Sequence, residues 1–189
     1  MVIENNKTKK MKKACVLFLS IVSILLTGGC DKIDELTQFE MEFNETVVIP
    51  SSTGIDLPFN IFTPDIESNS ESTFSSNNTR KDLIEEILLT EMELTLSSPD
   101  SGDLGFLKSI EIYISAEGVS EEKIAWNENI PNDVGKVISL ETSSVDLKEF
   151  IKKDQFKLEL KTTTDEIITS DHQIEVRSLF FVDAEILGL

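Results

Sequence analysis

The chain has 189 residues, with 35 Asp plus Glu against 17 Lys plus Arg, a formal charge of −18. That length allows one domain, or a domain with a long tail, and that acidity argues against a nucleic-acid binder, which needs a basic surface to meet phosphates. One histidine and two cysteines leave no His–His metal pair, no zinc ribbon and no disulfide framework.

The chain opens on a basic cluster, Lys7, Lys9, Lys10, Lys12 and Lys13. A run of 13 uncharged residues follows from Ala14 to Leu26, then Thr27-Gly28-Gly29-Cys30, and the chain turns polar at Asp31. A basic region, a short apolar run and small residues before a break describe an export signal. A helix over that run rises about 20 Å, short of the roughly 30 Å hydrocarbon core, which disfavours a permanent span.

Thr27-Gly28-Gly29-Cys30 resembles the lipobox of bacterial lipoproteins, with Thr27 where that family most often has Leu. In that family the Cys thiol is thioether-linked to a diacylglyceryl group, the signal is cut just before it, and the new amine is acylated in some members. The resemblance implies a signal peptide over residues 1–29, cleavage between Gly29 and Cys30, and Cys30 as the first mature residue, carrying fatty chains such as palmitate. Gly28 and Gly29 give the peptidase an unhindered backbone. Two or more acyl chains hold a protein stably at about 0.8 kcal/mol per buried CH2. The resemblance covers the leader alone.

Residues 30–37 then read as a lipidated tether. Asp31 directly after the Cys resembles an inner-membrane retention signal of some lineages. The acidic, Lys-containing stretch Asp31, Lys32, Asp34 and Glu35 resembles a surface-export signal of others. The second pattern matches more residues, so the expected location is the outer membrane, facing the cell surface. Removing residues 1–29 takes away five lysines and one acid, Glu4, leaving 12 basic and 34 acidic side chains, a formal −22 over 160 residues. Cys15 leaves with the signal and Cys30 is capped, so the sequence predicts no free thiol.

From Gln38 the dominant period is two, the signature of strands with one face in a core and one in water. Phe39, Met41 and Phe43 alternate with polar residues, and so do Ile55, Leu57, Phe59 and Ile61, where Pro58 lacks a ladder donor and predicts an edge strand. The Ser/Asn-rich stretch 64–78 reads as a long exposed loop. Residues 78–88 open on cap residues and carry Leu83, Ile84, Ile87 and Leu88 at helical spacing, predicting a short helix. Met92, Leu94 and Leu96 return to alternation up to a turn at Ser98–Asp103. Ile110, Ile112, Ile114 and Ala116 follow, then turns at Glu117-Gly118 and Asn127–Asp133.

Asp146–Lys153 predicts a second short helix, with an acidic start, a basic end and Leu147, Phe150 and Ile151 on one side. Phe156, Leu158, Leu160 and Thr162 make another strand, closed by a turn at Thr163–Asp165. In the last strand, from His172 to Leu187, Ile174, Val176, Phe180, Val182, Ala184 and Ile186 share one parity, while Leu179 and Phe181 fall on the other. A bulge near Ser178 or a strand crossing between sheets would bury both sets, and a crossing strand is the expectation. The whole predicts an all-β domain over residues 38–189, an antiparallel β-sandwich, loosely immunoglobulin-like, with two short helical insertions.

Few residues offer chemistry. His172 is the only imidazole and, beside Asp171 on a strand that sends the two side chains to opposite faces, reads as a strand-start histidine at a turn rather than a triad member. A carboxylate pair would suit a carbohydrate hydrolase, but with 34 acids such a pair arises by chance. Tyr113 and Trp126 are each a candidate ligand platform, with a half-buried loop anchor as the alternative for Trp126. Trp126, Asn127, Asn129 and Asp133 mark a possible ligand loop, and 64–78 a second contact surface. Asp100 and Asp103, with the 127–133 loop, offer hard oxygens for calcium, but Asp and Asn are ordinary turn formers. The surplus of acid reads as a solvated surface or as a docking face for a basic partner. The expected function is a non-enzymatic, lipid-anchored binding, accessory or structural module of the envelope, meeting the membrane through Cys30 and an envelope protein or glycan through its loops. An envelope carbohydrate hydrolase is the alternative.

Overall fold

One-sided strands need a second apolar layer, and the chain supplies it with two antiparallel sheets face to face. The computed structural model describes residues 37–51 and 56–185, so the leader, Cys30, Ile55 and Ile186 lie outside the described residues. In chain order the elements are β1 (Gln38–Ile49), β2 (Phe59–Phe62), β3 (Ile66–Glu67), α1 (Ser70–Ser76), a 3-10 turn at Lys81–Leu83, β4 (Ile84–Ser98), β5 (Leu107–Ala116), β6 (Val119–Asn127), β7 (Val137–Ser139), β8 (Glu141–Thr142), α2 (Lys148–Ile151), β9 (Gln155–Thr164) and β10 (His172–Ala184). One sheet runs β1-β10-β4-β7; the other runs β2-β9-β5-β6-β8, with β3 also on β9. Among the described residues no helix is long and apolar enough to cross a membrane.

The core lies where the inward parities meet. Met41, Val47, Leu94, Val176 and Phe180 come from the four-stranded sheet, Ile112, Ile114, Phe156 and Leu158 from the other. Phe43, Phe156 and Phe180 interlock edge to face, with centroids 5.1 to 6.3 Å apart, the arrangement favoured by ring quadrupoles. Glu117 and Gly118 form the tight β5–β6 turn, with Gly118 at φ +73°. The strand over 59–61 is an edge, as Pro58 predicts, but it begins after the proline; Leu57 is 64% exposed rather than core-facing.

Three expectations need correction. Residues 78–88 do not form a helix: only Lys81–Leu83 makes a 3-10 turn, and β4 begins at Ile84. Against β10, Glu86 and Ile84 pair with consecutive residues, as do Glu91 and Leu89, so Glu85 and Thr90 are bulged out. Each bulge stretches an inward spacing of two to three, giving buried Ile84, Ile87, Leu89 and Met92 a period that imitates a helix. The bulges are satisfied: Thr90 Oγ1 donates to the Leu179 carbonyl at 3.1 Å, and Lys148 Nζ donates to the Glu85 carbonyl at 2.8 Å.

Second, residues 64–78 are not an exposed loop. They hold β3 and α1, with Ile66, Ser68, Ser70 and Phe74 buried. Phe74 meets Phe39 edge-on at 6.1 Å, and Ser68 Oγ accepts the Ser70 N–H. A loop composition is held here by tertiary contacts. Third, β10 does not cross between sheets. It stays in one sheet with unbroken register to β1, His172 to Ala184 alternating throughout, and Leu179 and Phe181 lie half-buried on its outer face. The irregularity sought near Ser178 belongs to β4.

The second predicted helix is present as α2. Asp146 Oδ1 accepts the N–H of Lys148 and of Ile87 (both 3.1 Å), fixing the start of α2 to β4, while Leu147, Phe150 and Ile151 are buried. Burial of the Asp146 carboxyl works against its charge, but the Lys148 ammonium and the two N–H donors outweigh it and hold its pKa below the ordinary value.

Candidate functional site

The outward face of the six-stranded sheet brings Tyr113 and Trp126 together with a set of charged side chains. Pleating sends Ile110, Ile112 and Ile114 of β5 inward and Glu111 and Tyr113 outward; on β9, Leu158 and Leu160 point in while Glu159 and Lys161 share the outer parity. On β6 the alternation is broken: Ile124 and Ala125 are consecutive and both buried, because Ile112 pairs with Ala125 while Tyr113 pairs with Lys123. That bulge leaves both Lys123 and Trp126 facing out. Register then assembles two rows. One runs Asn60, Lys161, Glu111, Trp126, Glu141; the other runs Phe62, Glu159, Tyr113, Lys123.

The rows are tied together. Lys161 Nζ lies 3.7 Å from the Tyr113 ring centroid and reaches Glu121 at 2.8 Å and Glu159 at 3.4 Å. Tyr113 donates its hydroxyl to Glu111 Oε2 at 3.0 Å, and Lys123 Nζ donates to Glu111 Oε1 at 3.1 Å while standing 5.1 Å from the Trp126 ring centroid. Trp126 Nε1 donates to Glu141 Oε2 at 3.0 Å. The Lys123 ammonium lowers the Glu111 pKa, and burial, helped by the Glu111 carboxylate, raises that of the Tyr113 phenol.

Glu159 is the unusual member, only 7% exposed although it lies on an outward face. Asn60 Nδ2 donates to it at 2.5 Å, and it hydrogen-bonds to Glu121. Burial pushes its pKa up, and Glu121 adds to the rise; Lys161 and then Glu159 hold Glu121 down. The pair therefore keeps its last proton on Glu159. A carboxyl with a raised pKa binds its proton more tightly folded than unfolded. The stability it contributes is present in acid and lost as pH rises from its ordinary value near 4.5 through the raised one. Glu159→Gln should remove that loss, so the melting temperature of the variant relative to wild type climbs between pH 4 and pH 8. A constant difference across that range would contradict the assignment.

The remaining sequence candidates are placed as follows. Trp126 lies within β6, one residue before its end, instead of opening a loop; it is half-buried and shares the outer face with Tyr113. Asn127 Oδ1 accepts the Asn129 N–H at 3.1 Å, and Asp103 Oδ1 accepts the Gly105 N–H at 2.9 Å, so both carry turns. The 98–105 and 127–135 segments pack together, with the Leu104 N–H donated to the Gly135 carbonyl at 2.7 Å; Asp100 and Asp133 are exposed. Among the described residues no group of three or more His, Cys, Asp or Glu stands where it could hold a metal. His172 begins β10, 7% exposed, packed at 4.6 Å on Phe106, its Nδ1 2.8 Å from the Ser170 carbonyl; Asp171 instead accepts the Ser51 N–H. Sequence reasoning noted Tyr113 and Trp126 singly and missed Glu111, Lys123, Glu159 and Lys161. Glu111, Glu159 and Lys161 are signalled only by the outer parity of two alternating runs, and Lys123, beside the β6 bulge, by nothing in the local pattern.

No protein-family model matches the chain, and no curated protein does. Among solved structures it is similar to the CpGH89CBM32-5 module of Clostridium perfringens, in complex with GalNAc-β-1,3-galactose, at 13% identity and a TM-score of 0.35, covering 76% of this chain and 96% of that one. It is also similar to a structure of Desmodium yellow mottle tymovirus, at 13% identity and a TM-score of 0.31, covering 80% and 85%. A structure of Cocksfoot mottle virus follows at 8% identity and a TM-score of 0.28, covering 79% and 85%. Likeness at this level says nothing of what the chain binds.

Proposed function

We propose that the protein is a non-enzymatic binding module of the cell envelope, tethered to the outer membrane through lipid on Cys30 and facing the cell surface, with the outward face of the six-stranded sheet as its contact surface. One observation carries the assignment of the face. Trp126 pairs with Glu111, and Tyr113 is two residues on from Glu111, so the two rings rise from diagonal positions on adjacent strands, positions about 7–8 Å apart along the backbone by sheet geometry. Rings with a polar tip, held by fixed partners, give large contact area at low entropic cost, which is what contact surfaces use. The tether rests on the leader residues Thr27-Gly28-Gly29-Cys30.

The hydrolase alternative gains nothing from Glu121 and Glu159. The two carboxyls share one ammonium, Lys161 Nζ, at 2.8 and 3.4 Å, so that cation sits between them where a sugar-cleaving pair, about 5–10 Å apart, admits substrate.

The test is capture from envelopes solubilised in mild detergent. The wild-type protein should bring down a partner that a Tyr113→Ala, Trp126→Ala double variant does not, with both proteins found in the membrane fraction. Cys30→Ala should appear in the soluble fraction. Identical capture by the double variant would remove the face from the account, and membrane retention of Cys30→Ala would remove the anchor.

A further inference from the structure

We infer that the outward face of the six-stranded sheet takes a cationic ligand, an extended Lys- or Arg-rich segment of another protein, seated on the Tyr113 and Trp126 rings. The inference rests on the reading of that face as the contact surface and adds the chemistry of its occupant.

The protein already shows what these rings hold. Each carries an ammonium of its own chain, Lys161 at 3.7 Å from Tyr113 and Lys123 at 5.1 Å from Trp126. A cation over an indole or phenol ring is drawn by the ring quadrupole, more so where carboxylates flank it. Here they do. Four carboxylates, Glu111, Glu121, Glu141 and Glu159, surround the rings against two ammoniums. The surplus is sharpest at Trp126, where Glu111 and Glu141 stand on either side in register and the single ammonium, Lys123, is already bonded to Glu111 at 3.1 Å. At 5.1 Å Lys123 is a loose occupant, so this ring is the open seat and Tyr113 the filled one.

Spacing selects the form of the ligand. Side chains on one side of an extended peptide repeat every 6.8 Å or so, which matches the roughly 7–8 Å between diagonal neighbours on a sheet. A peptide with cations at alternate positions can therefore address both rings, displacing Lys161 toward Glu121 and Glu159. The long-range field agrees, since a chain of formal charge −22 over residues 30–189 attracts a polycation and repels an acidic polymer.

The experiment uses the purified lipidated protein in a neutral detergent. A seven-residue peptide alternating lysine and serine is titrated by calorimetry and by the emission of Trp126, the single tryptophan. The expected result is saturable binding with a change in indole emission, absent for the same peptide with glutamine in place of lysine. Trp126→Leu, which changes no charge, should weaken binding about fivefold or more. Lys123→Gln should tighten it, and by more than Lys136→Gln, which makes the same charge change at an exposed position beside β7. Equal effects of the two lysine variants, or an unaltered affinity in Trp126→Leu, would reduce the attraction to diffuse charge and overturn the inference. So would binding of a chitosan oligomer with no binding of the peptide. If the peptide fails while the Tyr113, Trp126 double variant still loses its envelope partner, the chemistry assigned to the ligand falls and the contact surface stands.

Discussion

Phe180→Ala is expected to lower the unfolding free energy by about 3–5 kcal/mol, enough to consume much of the 5–15 kcal/mol that holds a typical domain folded. Phe180 is fully buried on β10 and packs its ring against Phe43 of β1 at 5.7 Å and Phe156 of β9 at 6.3 Å. It thus joins the two sheets at their centre, where neighbours fixed in two ladders cannot collapse into the space left behind. Phe181→Ala is the internal control. Its ring lies half-buried on the outer face between Glu40 and Leu88, so its truncation should cost much less. Urea titration of both variants decides the point, and equal losses would mean that the parity assigned to β10 is wrong.

Gly105→Ala should destabilise by about 3 kcal/mol, the upper end of what overpacking costs. A Cβ at Gly105 would lie 2.1 Å from the Asn132 carbonyl oxygen and 2.7 Å from its carbon. Both obstacles are backbone, so no side chain can swing aside and the two loops must part. Parting them strains the Leu104–Gly135 hydrogen bond and the bond from Ile130 N–H to the Lys108 carbonyl, and opens buried Leu104 and Ile130 to water. Thermal unfolding reads the loss. Gly118→Ala is a different case: nothing lies within 4 Å of its added Cβ, and only its positive φ resists a side chain. A Gly105→Ala protein that melts with wild type would show that the loops are not in contact.

The sequence makes some of this structure visible and hides the rest for identifiable reasons. Where a strand is regular and one-sided, as in β1, β5 and β9, alternation of Phe39, Met41 and Phe43, of Ile110, Ile112 and Ile114, and of Phe156, Leu158 and Leu160 is legible without coordinates. Where a bulge adds a residue, the period shifts and the reading fails. Two bulges make the start of β4 look helical, and the bulge at Ile124 hides β6 altogether. Leu179 and Phe181 mislead for another reason. Their side chains are half-covered by neighbours such as Leu88 and by Arg177, which bridges Glu42 at 2.8 Å and Glu91 at 2.5 Å across three strands. Such apolar residues on an outer face look in sequence like a second core. α1 shows the converse, a polar segment ordered by one buried ring, Phe74, whose partner Phe39 is distant along the chain.

The candidate site was hidden for the same cause. Tyr113 and Trp126 are recognisable as rings, but their adjacency follows from strand register and from one bulge, neither of which is written in local periodicity. The network that fixes them joins β5, β6, β8 and β9, and apart from Tyr113–Glu111 its pairs are 12 or more residues apart in sequence. The proposed leader rests on local features alone: charge, apolar run, small residues and cysteine in order.

The tether is the claim on which location and role both depend, and intact mass analysis of the N-terminal peptide of the membrane-extracted protein tests it most directly. The account predicts a chain that begins at Cys30 and carries the mass of a diacylglyceryl group, with or without an acyl chain on its amine. A chain that begins elsewhere, or a Cys30 that remains alkylatable as a free thiol, would contradict it.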